Sequence, residues 1–487
     1  MDFESECKKE DMMKESRPSF IGIEEEKGEV PIAGHVEELR KDFSVWSLGS
    51  LCLCLMATWE ALSSVVAAAL ANGGAPCLFY NYCISLIGSL AISSSLAEIA
   101  SIWPTAGGQY HFVAALAPKS QMKIASWFTG WISIGGQIVL TASAAFSAGL
   151  QFQGLVTLNN PDSYVPTRWQ GILHLAGLIA IMAVLGVMAP KHDAHFVFTE
   201  VTNTSGWESD GVSWLVGLLS AVYPFLGYDA ACHLAEEMPR PARDVPIAMV
   251  GSVAVNGMLG LGYCIMLLYS LGDLNELLAS PTGFPFMQLY QNVTNNTAGA
   301  TIMIMAVCFI AVAANAAGCT STSRTYWAFA RDSATPYSRY FAHISPTTQV
   351  PVRAIVALTI LEMLLGLIYL GNSTAFNAIV SMSVLGMYAS YLVPIVYMII
   401  YGRKNIKRSQ YGPFRLGDTL GLIVNVIAVV WLLVAIVFCT FPSVQPVTAQ
   451  NMNYSVVVMG GWLFFGAIFY FCFGRREYNG PIGIIEM

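Results

Sequence analysis

Charged side chains are scarce in this sequence. Asp, Glu, Lys and Arg make up 11% of its 487 residues, against roughly 25% in an ordinary soluble domain. Apolar residues reach 55%, and a water-soluble globule of that composition would have nowhere to bury them. With 25 Phe, 21 Tyr and 11 Trp, intrinsic disorder is excluded as well. No GxxxxGK(S/T) loop is present, so nothing here is built to use a nucleoside triphosphate, and no HExxH zinc signature occurs. The eleven cysteines form no CxxC pair and lie mostly within apolar runs. They read as small apolar residues, not as a disulfide or metal scaffold, and no cofactor is implied. A net charge of -7 counts against nucleic acid as a partner. What is left is a chain whose partner is the lipid bilayer.

Residues 1–42 are polar, with Glu24, Glu25 and Glu26 in a row and no apolar signal-peptide core, and are expected to form a disordered cytoplasmic tail. Eleven apolar runs follow, at about 45–71, 77–101, 124–150, 170–189, 213–234, 247–271, 299–319, 353–371, 375–401, 417–441 and 455–473. Each is long enough to cross roughly 30 Å of hydrocarbon as a helix, and too continuous for the alternating strands of a membrane barrel. The expected fold is an all-α polytopic membrane protein.

Basic residues orient the spans. All of the 24 Lys and Arg residues except Arg168 and Lys191 fall in the first tail, at Lys119 and Lys123, at Arg240 and Arg243, between Arg324 and Arg353, between Arg403 and Arg415, or at Arg475 and Arg476. The connections 272–298, 372–374 and 442–454 contain none. Both termini then lie in the cytoplasm, with one inconsistency. By this counting 151–168 and 190–212 belong on the same external face, yet a single apolar run separates them. Either 170–189 fails to cross or a span is missing. Asn-x-Ser/Thr acceptors at Asn203, Asn292, Asn295, Asn372 and Asn453 all fall in segments expected outside.

Five stretches, in order, carry a resemblance. They are Ser95-Leu-Ala-Glu-Ile-Ala-Ser-Ile-Trp-Pro-Thr-Ala-Gly-Gly-Gln-Tyr-His111, Gly227-Tyr-Asp-Ala-Ala-Cys-His-Leu-Ala-Glu-Glu237, the prolines Pro241 and Pro246, Thr322-Ser-Arg324, and Ala328-Phe-Ala-Arg-Asp332. Together they resemble the amino acid, polyamine and organocation transporter superfamily, specifically its fungal choline, GABA and amino acid permeases, over nearly all of 40–480. The resemblance implies twelve helices, ten of them in two inverted five-helix repeats. Here the core would be 43–401, with a first repeat over 43–190 short by one helix and a second over 213–401, then two additional helices in 402–474 and a cytoplasmic tail at 475–487. Arg168-Trp-Gln-Gly-Ile-Leu173 resembles the start of the family's fourth helix, and His174-Leu-Ala-Gly-Leu-Ile-Ala180 its fifth. Roughly 30–40 residues, one loop and one helix, belong between them. A deletion near Leu173 and His174, from splicing or a gene-model error, accounts for the charge parity; a re-entrant 170–189 is the alternative.

Ionisable groups inside spans cost roughly 2.5–3.5 kcal/mol on insertion scales, so they are functional candidates. Those here are Glu60, His174, Asp229, His233 and Glu362. By the resemblance, Ala57, Thr58, Trp59 and Glu60 sit where the first helix unwinds and Gly227, Tyr228 and Asp229 where the sixth does, and both groups would touch substrate. Glu60 would pair with an ammonium and Trp59 would hold a quaternary amine on its ring face, or Glu60 simply faces a wet vestibule. Asp229 is a protonatable carboxylate or a helix cap. His233, four residues later, shares its face and would join it, with His174, in moving protons. Glu236 and Glu237 would bridge to Arg240, Arg243 or Arg324. Glu98 reads as an internal salt-bridge partner, and Asn315 and Asn377 as amides holding neighbouring helices.

The expected function is a secondary active transporter for a small amine or amino acid such as choline, GABA or a neutral amino acid. It would be coupled to protons or to sodium, would alternate access around broken first and sixth helices, and would reside in the plasma membrane, with a vacuolar or other endomembrane as the alternative. A non-transporting nutrient sensor of the same fold and an inactive splice or gene-model variant are the alternatives. An intramembrane aspartyl protease would need a second Asp at matching depth, and Asp273 lies at the external end of its helix, so no enzyme is expected.

Overall fold

A computed structural model describes residues 41, 43–159, 176–366, 375–449 and 451–481, and every described element is helical. Among these residues eight segments are long and apolar enough to cross a membrane. The first of them, Val45–Ile102, has 58 residues and is a compound of two crossings. Helix α1, Val45–Met56, opens on a reciprocal Ser44 and Ser47 capping box. Helix α2, Thr58–Ile102, folds at Gly73 and Gly74, where Gly74 takes φ 72° and ψ -157°. A Cβ on Gly74 would meet the Thr202 hydroxyl at 2.5 Å, so the bend requires glycine twice over. Pro76 then starts the second crossing, and Pro104 follows its end.

Short α3, Gln109–Leu116, leads into α4, Lys119–Asn159, which packs along two later helices, α13 and α16 below. After α5, Ala176–Met188, and the turn α6, Ala194–Phe198, comes a fragmented span made of α7, Asp210–Val216, α8, Leu219–Val222, and the single turn α9, Ala230–His233. Helix α10, Pro241–Tyr269, lies against α1 and α2. Two short helices, α11 (Leu274–Leu278) and α12 (Pro285–Thr294), precede α13, Thr297–Arg331. The turn α14, Ser338–Phe341, then α15, Val352–Gly366, α16, Ala375–Tyr397, α17, Asp418–Phe438, and α18, Ser455–Phe469, complete the bundle. Where α4 and α16 cross, a Cβ on Gly136 would fall 2.6 Å from the Gly386 backbone.

The last helices are tied into the core by charge. Arg403 pairs with the wholly buried Glu98 and reaches Asn425 of α17 at 2.9 Å. Leu416 N–H also donates to Glu98, at 2.9 Å. Tyr478, fully buried, shares a 2.8 Å hydrogen bond with Ser126 and packs edge-on against Trp127.

Basic residues gather at one end of the bundle. Helix α4 starts there, with Lys123 on Asn479 at 2.7 Å, and its 41 residues extend about 61 Å, carrying Asn159 to the opposite end. Helix α10 also starts at the basic end. His192 N–H donates to the Tyr269 carbonyl at its far end, at 2.9 Å, and Lys191 reaches Ser270 at 3.1 Å. Asn159 and His192 therefore lie at the same end. His174 and the expected junction at 173–174 fall outside the described residues, as does Asn372. Two of the acceptor asparagines are structural. Asn203 donates to the Trp207 carbonyl and to Asp210, both at 3.0 Å, and accepts from Ser205. Asn453 donates to Ser381 at 2.9 Å and accepts from Ser455 N–H.

Candidate functional site

The first span is interrupted at one residue. Ala57 takes φ 41° and ψ 49°, a left-handed conformation between α1 and α2, which costs an alanine about 1–2 kcal/mol. Asn256 of α10 donates to the Leu53 carbonyl at 3.0 Å, serving the end of α1. The sixth span breaks in register with the first. A 3-10 turn, Tyr223–Phe225, gives way to extended Leu226 and to Gly227 at φ 102° before α9 begins. A Cβ on Gly227 would meet Leu55 at 2.8 Å. The two breaks are joined directly, since Thr58 Oγ1 donates to the Pro224 carbonyl at 2.9 Å.

Beside the breaks is a small cavity. Ala57 and Glu60 line it, with Ser64 of α2, Ser147 and Gln151 of α4, Tyr223, and apolar groups from α1, α4 and α13. Its lining holds no Lys, Arg or His. Glu60 is 6% exposed and Gln151 1%, and each keeps one oxygen, Oε2 and Oε1 respectively, without a hydrogen-bond partner.

The other residues expected at the substrate do not line this cavity. Thr58 is spent on Pro224. Trp59 turns away from the cavity and packs edge-on against Tyr263, ring centroids 5.2 Å apart. Tyr228 packs against Tyr391 with the rings tilted and their centroids 5.4 Å apart. Gly227, Tyr228 and Asp229 are absent from the cavity wall, because the chain turns at Leu226 and carries them behind it.

Asp229 instead centres a second, sealed polar cluster. Its Oδ1 accepts from Tyr391 at 2.7 Å and its Oδ2 from Gln109 Nε2 at 2.8 Å. His233 Nε2 lies 3.2 Å from the same Oδ2 and 2.7 Å from Gln137 Nε2. His233 Nδ1 is 3.0 Å from the Ala106 carbonyl, which can only accept, so Nδ1 carries a hydrogen. Gln137 Nε2 can only donate, so His233 Nε2 accepts from it. A Cβ on Gly108 would come 2.6 Å from the His233 ring, which accounts for the glycine there. Gln109, Gln137, Gln151 and Tyr391 were not singled out from the sequence as site residues.

At the basic end, Glu237 pairs with Arg324 at 2.8 Å, as expected. Glu236 departs from expectation: it meets Arg331 of α13, at 2.9 and 3.0 Å to the two guanidinium nitrogens, not Arg240 or Arg243. Tyr110 of α3 donates to Asp332 at 2.8 Å. Asn315 donates to the Thr141 carbonyl at 3.0 Å, joining α13 to α4, and Glu362 accepts from Cys319 at 3.5 Å. The side chain of Asn377 lies outside the described residues.

Paired breaks in two spans, a cavity beside them and ion pairs closing one end define a membrane transporter, not an enzyme. The chain belongs to the amino acid permease family, whose model matches residues 43–196 and 167–462. The two matches overlap over 167–196. The chain is 30% identical to a choline transporter of Saccharomyces cerevisiae, over 97% of this chain and 88% of the relative. It is 28% identical to amino-acid permease 2 of Neurospora crassa, over 96% and 91%. The first of these alignments runs for 502 positions; 97% of 487 residues is about 472, so about 30 positions hold residues of the relative with no counterpart here. A crystal structure of a manganese transporter from Eremococcus coleocola has the same fold, with a TM-score of 0.51 and 14% identity, over 92% of this chain and 99% of that one.

Proposed function

We propose that this permease is a secondary active carrier of a small amine or amino acid, driven by protons and working in the plasma membrane. The observation that carries this reading is a mid-span cavity with a buried carboxylate, Glu60, and no cationic side chain on its wall. Such a wall suits a substrate that brings its own positive charge. Any substrate carboxylate would be met by the free N–H groups at the start of α2, where Ala57 provides no side-chain cap. What supports proton coupling on this reading is a buried carboxylate and imidazole, Asp229 and His233, 3.2 Å apart and enclosed by Gln109 and Tyr391. Uptake into proteoliposomes under an imposed proton gradient, with and without sodium, tests the reading. Accumulation that persists when the proton gradient is collapsed would refute it.

A second reading concerns the chain as encoded. Three observations favour the loss of one helix and loop around 167–196: the overlap of the two family matches there, about 30 positions of the yeast relative without a counterpart, and the location of Asn159 and His192 at one end of the bundle. On this reading the encoded form transports poorly, and a transcript with the segment restored transports well. Equal uptake by both forms would dismiss it.

A further inference from the structure

The cavity wall contains an argument about the substrate's nitrogen, one that rests on reading this cavity as the carrier's substrate site. Ser64 Oγ donates to the Glu60 carbonyl at 3.2 Å, and Ser147 Oγ donates to Ser64 Oγ at 3.3 Å. Both hydroxyl hydrogens are therefore committed. Gln151 Nε2 donates to these two oxygens at 2.7 Å and 3.0 Å. That leaves Gln151 with Oε1 free, buried and on the cavity wall. Glu60 Oε2 is free and buried on the same wall, and Ser64 touches both residues.

Two buried acceptors with no donor between them call for a donor-bearing cation. A quaternary ammonium cannot supply hydrogens from nitrogen, and it is ordinarily held on aromatic faces. Those faces are missing here. Tyr223 is the one aromatic residue on the wall, with its hydroxyl bonded to Ser143 at 2.8 Å, while Trp59 is turned onto Tyr263. We infer that Glu60 and Gln151 form the ammonium subsite of this cavity, and that it selects ligands whose ammonium carries N–H groups over their quaternary counterparts.

The test is a binding titration of the purified full chain with two matched pairs, ethanolamine against choline and GABA against its N,N,N-trimethyl derivative. Within each pair three N–H groups give way to three N-methyl groups, so bulk changes along with the donors, and the response of the ratio to Gln151→Leu separates the two. A site that hydrogen-bonds its ligand rejects the analogue lacking the donor strongly, so the primary amine should bind about tenfold tighter or better in at least one pair. Gln151→Leu should narrow that ratio by weakening the primary amine alone, and Glu60→Gln should weaken every probe. The melting transition of each ligand-free variant checks that it folds; if Gln151→Leu does not, the wild-type ratios decide alone. Equal or reversed ratios in wild type, or an unchanged ratio in a folded Gln151→Leu, overturn the selectivity and leave the carrier reading standing. If no probe binds, both fall together.

Discussion

Thr58 Oγ1 donates to the Pro224 carbonyl at 2.9 Å, so the first residue of α2 holds the last regular turn before the break in the sixth span. This is a buried bond between the two interrupted spans. Thr58→Val keeps the shape and strands the acceptor, at a cost of about 1–3 kcal/mol. The unfolding midpoint in detergent should fall, and Thr58→Ser should recover most of it. A Thr58→Val protein as stable as wild type would show that the bond contributes little.

Asp229→Asn should abolish substrate accumulation while leaving exchange of substrate across the membrane measurable. The amide keeps the size of the carboxyl group and cannot exchange a proton with His233. Counterflow and net uptake, compared in the same vesicles, separate the two activities. Full accumulation by the variant would remove Asp229 from coupling.

Glu236 and Arg331 form a two-point ion pair, each 13% exposed on its side chain. Removing one partner strands the other charge, at about 3–5 kcal/mol for a buried pair. Glu236→Gln should therefore be more damaging than the exchange Glu236→Arg with Arg331→Glu. Cysteine accessibility at the basic end, read with a membrane-impermeant reagent, should rise in the single variant and fall back in the exchanged one.

Gly136→Ala should be among the most harmful small substitutions in the protein. Its methyl group would fall 2.6 Å from the backbone of Gly386, which has no side chain to move aside, so helices α4 and α16 must separate. Overpacking of this kind costs about 1–3 kcal/mol. Expression and thermal stability should drop together, and Gly149→Ala, with open space around it, serves as the neutral control.

Single cysteines at Leu158 and Lys191, in a background without other reactive cysteines, should react with an impermeant reagent from the same side of the membrane. Labelling from opposite sides would mean that 160–190 makes one ordinary crossing, and the missing-helix reading would lapse.

The spans and the break at Gly227 were legible because each has a local cause. Long apolar runs demand helices in lipid, and Gly227 and the Gly73-Gly74 pair mark places where backbone leaves the helix. Ala57 carries no such mark; only the family resemblance pointed to it. Glu60 stood out as a lone carboxylate in an apolar run. Gln151, Gln137, Gln109 and Tyr391 did not, since neutral amides and phenols are unremarkable in a sequence, and their meaning depends on which helices meet. Glu236 shows the same limit from another side. Arg240 is four residues away in sequence, but the helix turned by Pro241 directs it elsewhere, and α13 delivers Arg331 from 95 positions further on.

Arg403 reaches back from the far side of α16 to neutralise Glu98 and bond Asn425. The final two helices are therefore no detachable accessory to a ten-helix machine. A protein truncated after Tyr401, as a minimal-core expression strategy would suggest, would keep Glu98 at the centre of its packing with no counter-charge and with the Leu416 amide gone. Such a fragment should aggregate or be degraded, and any attempt to shrink this carrier must first replace Glu98 with an uncharged residue.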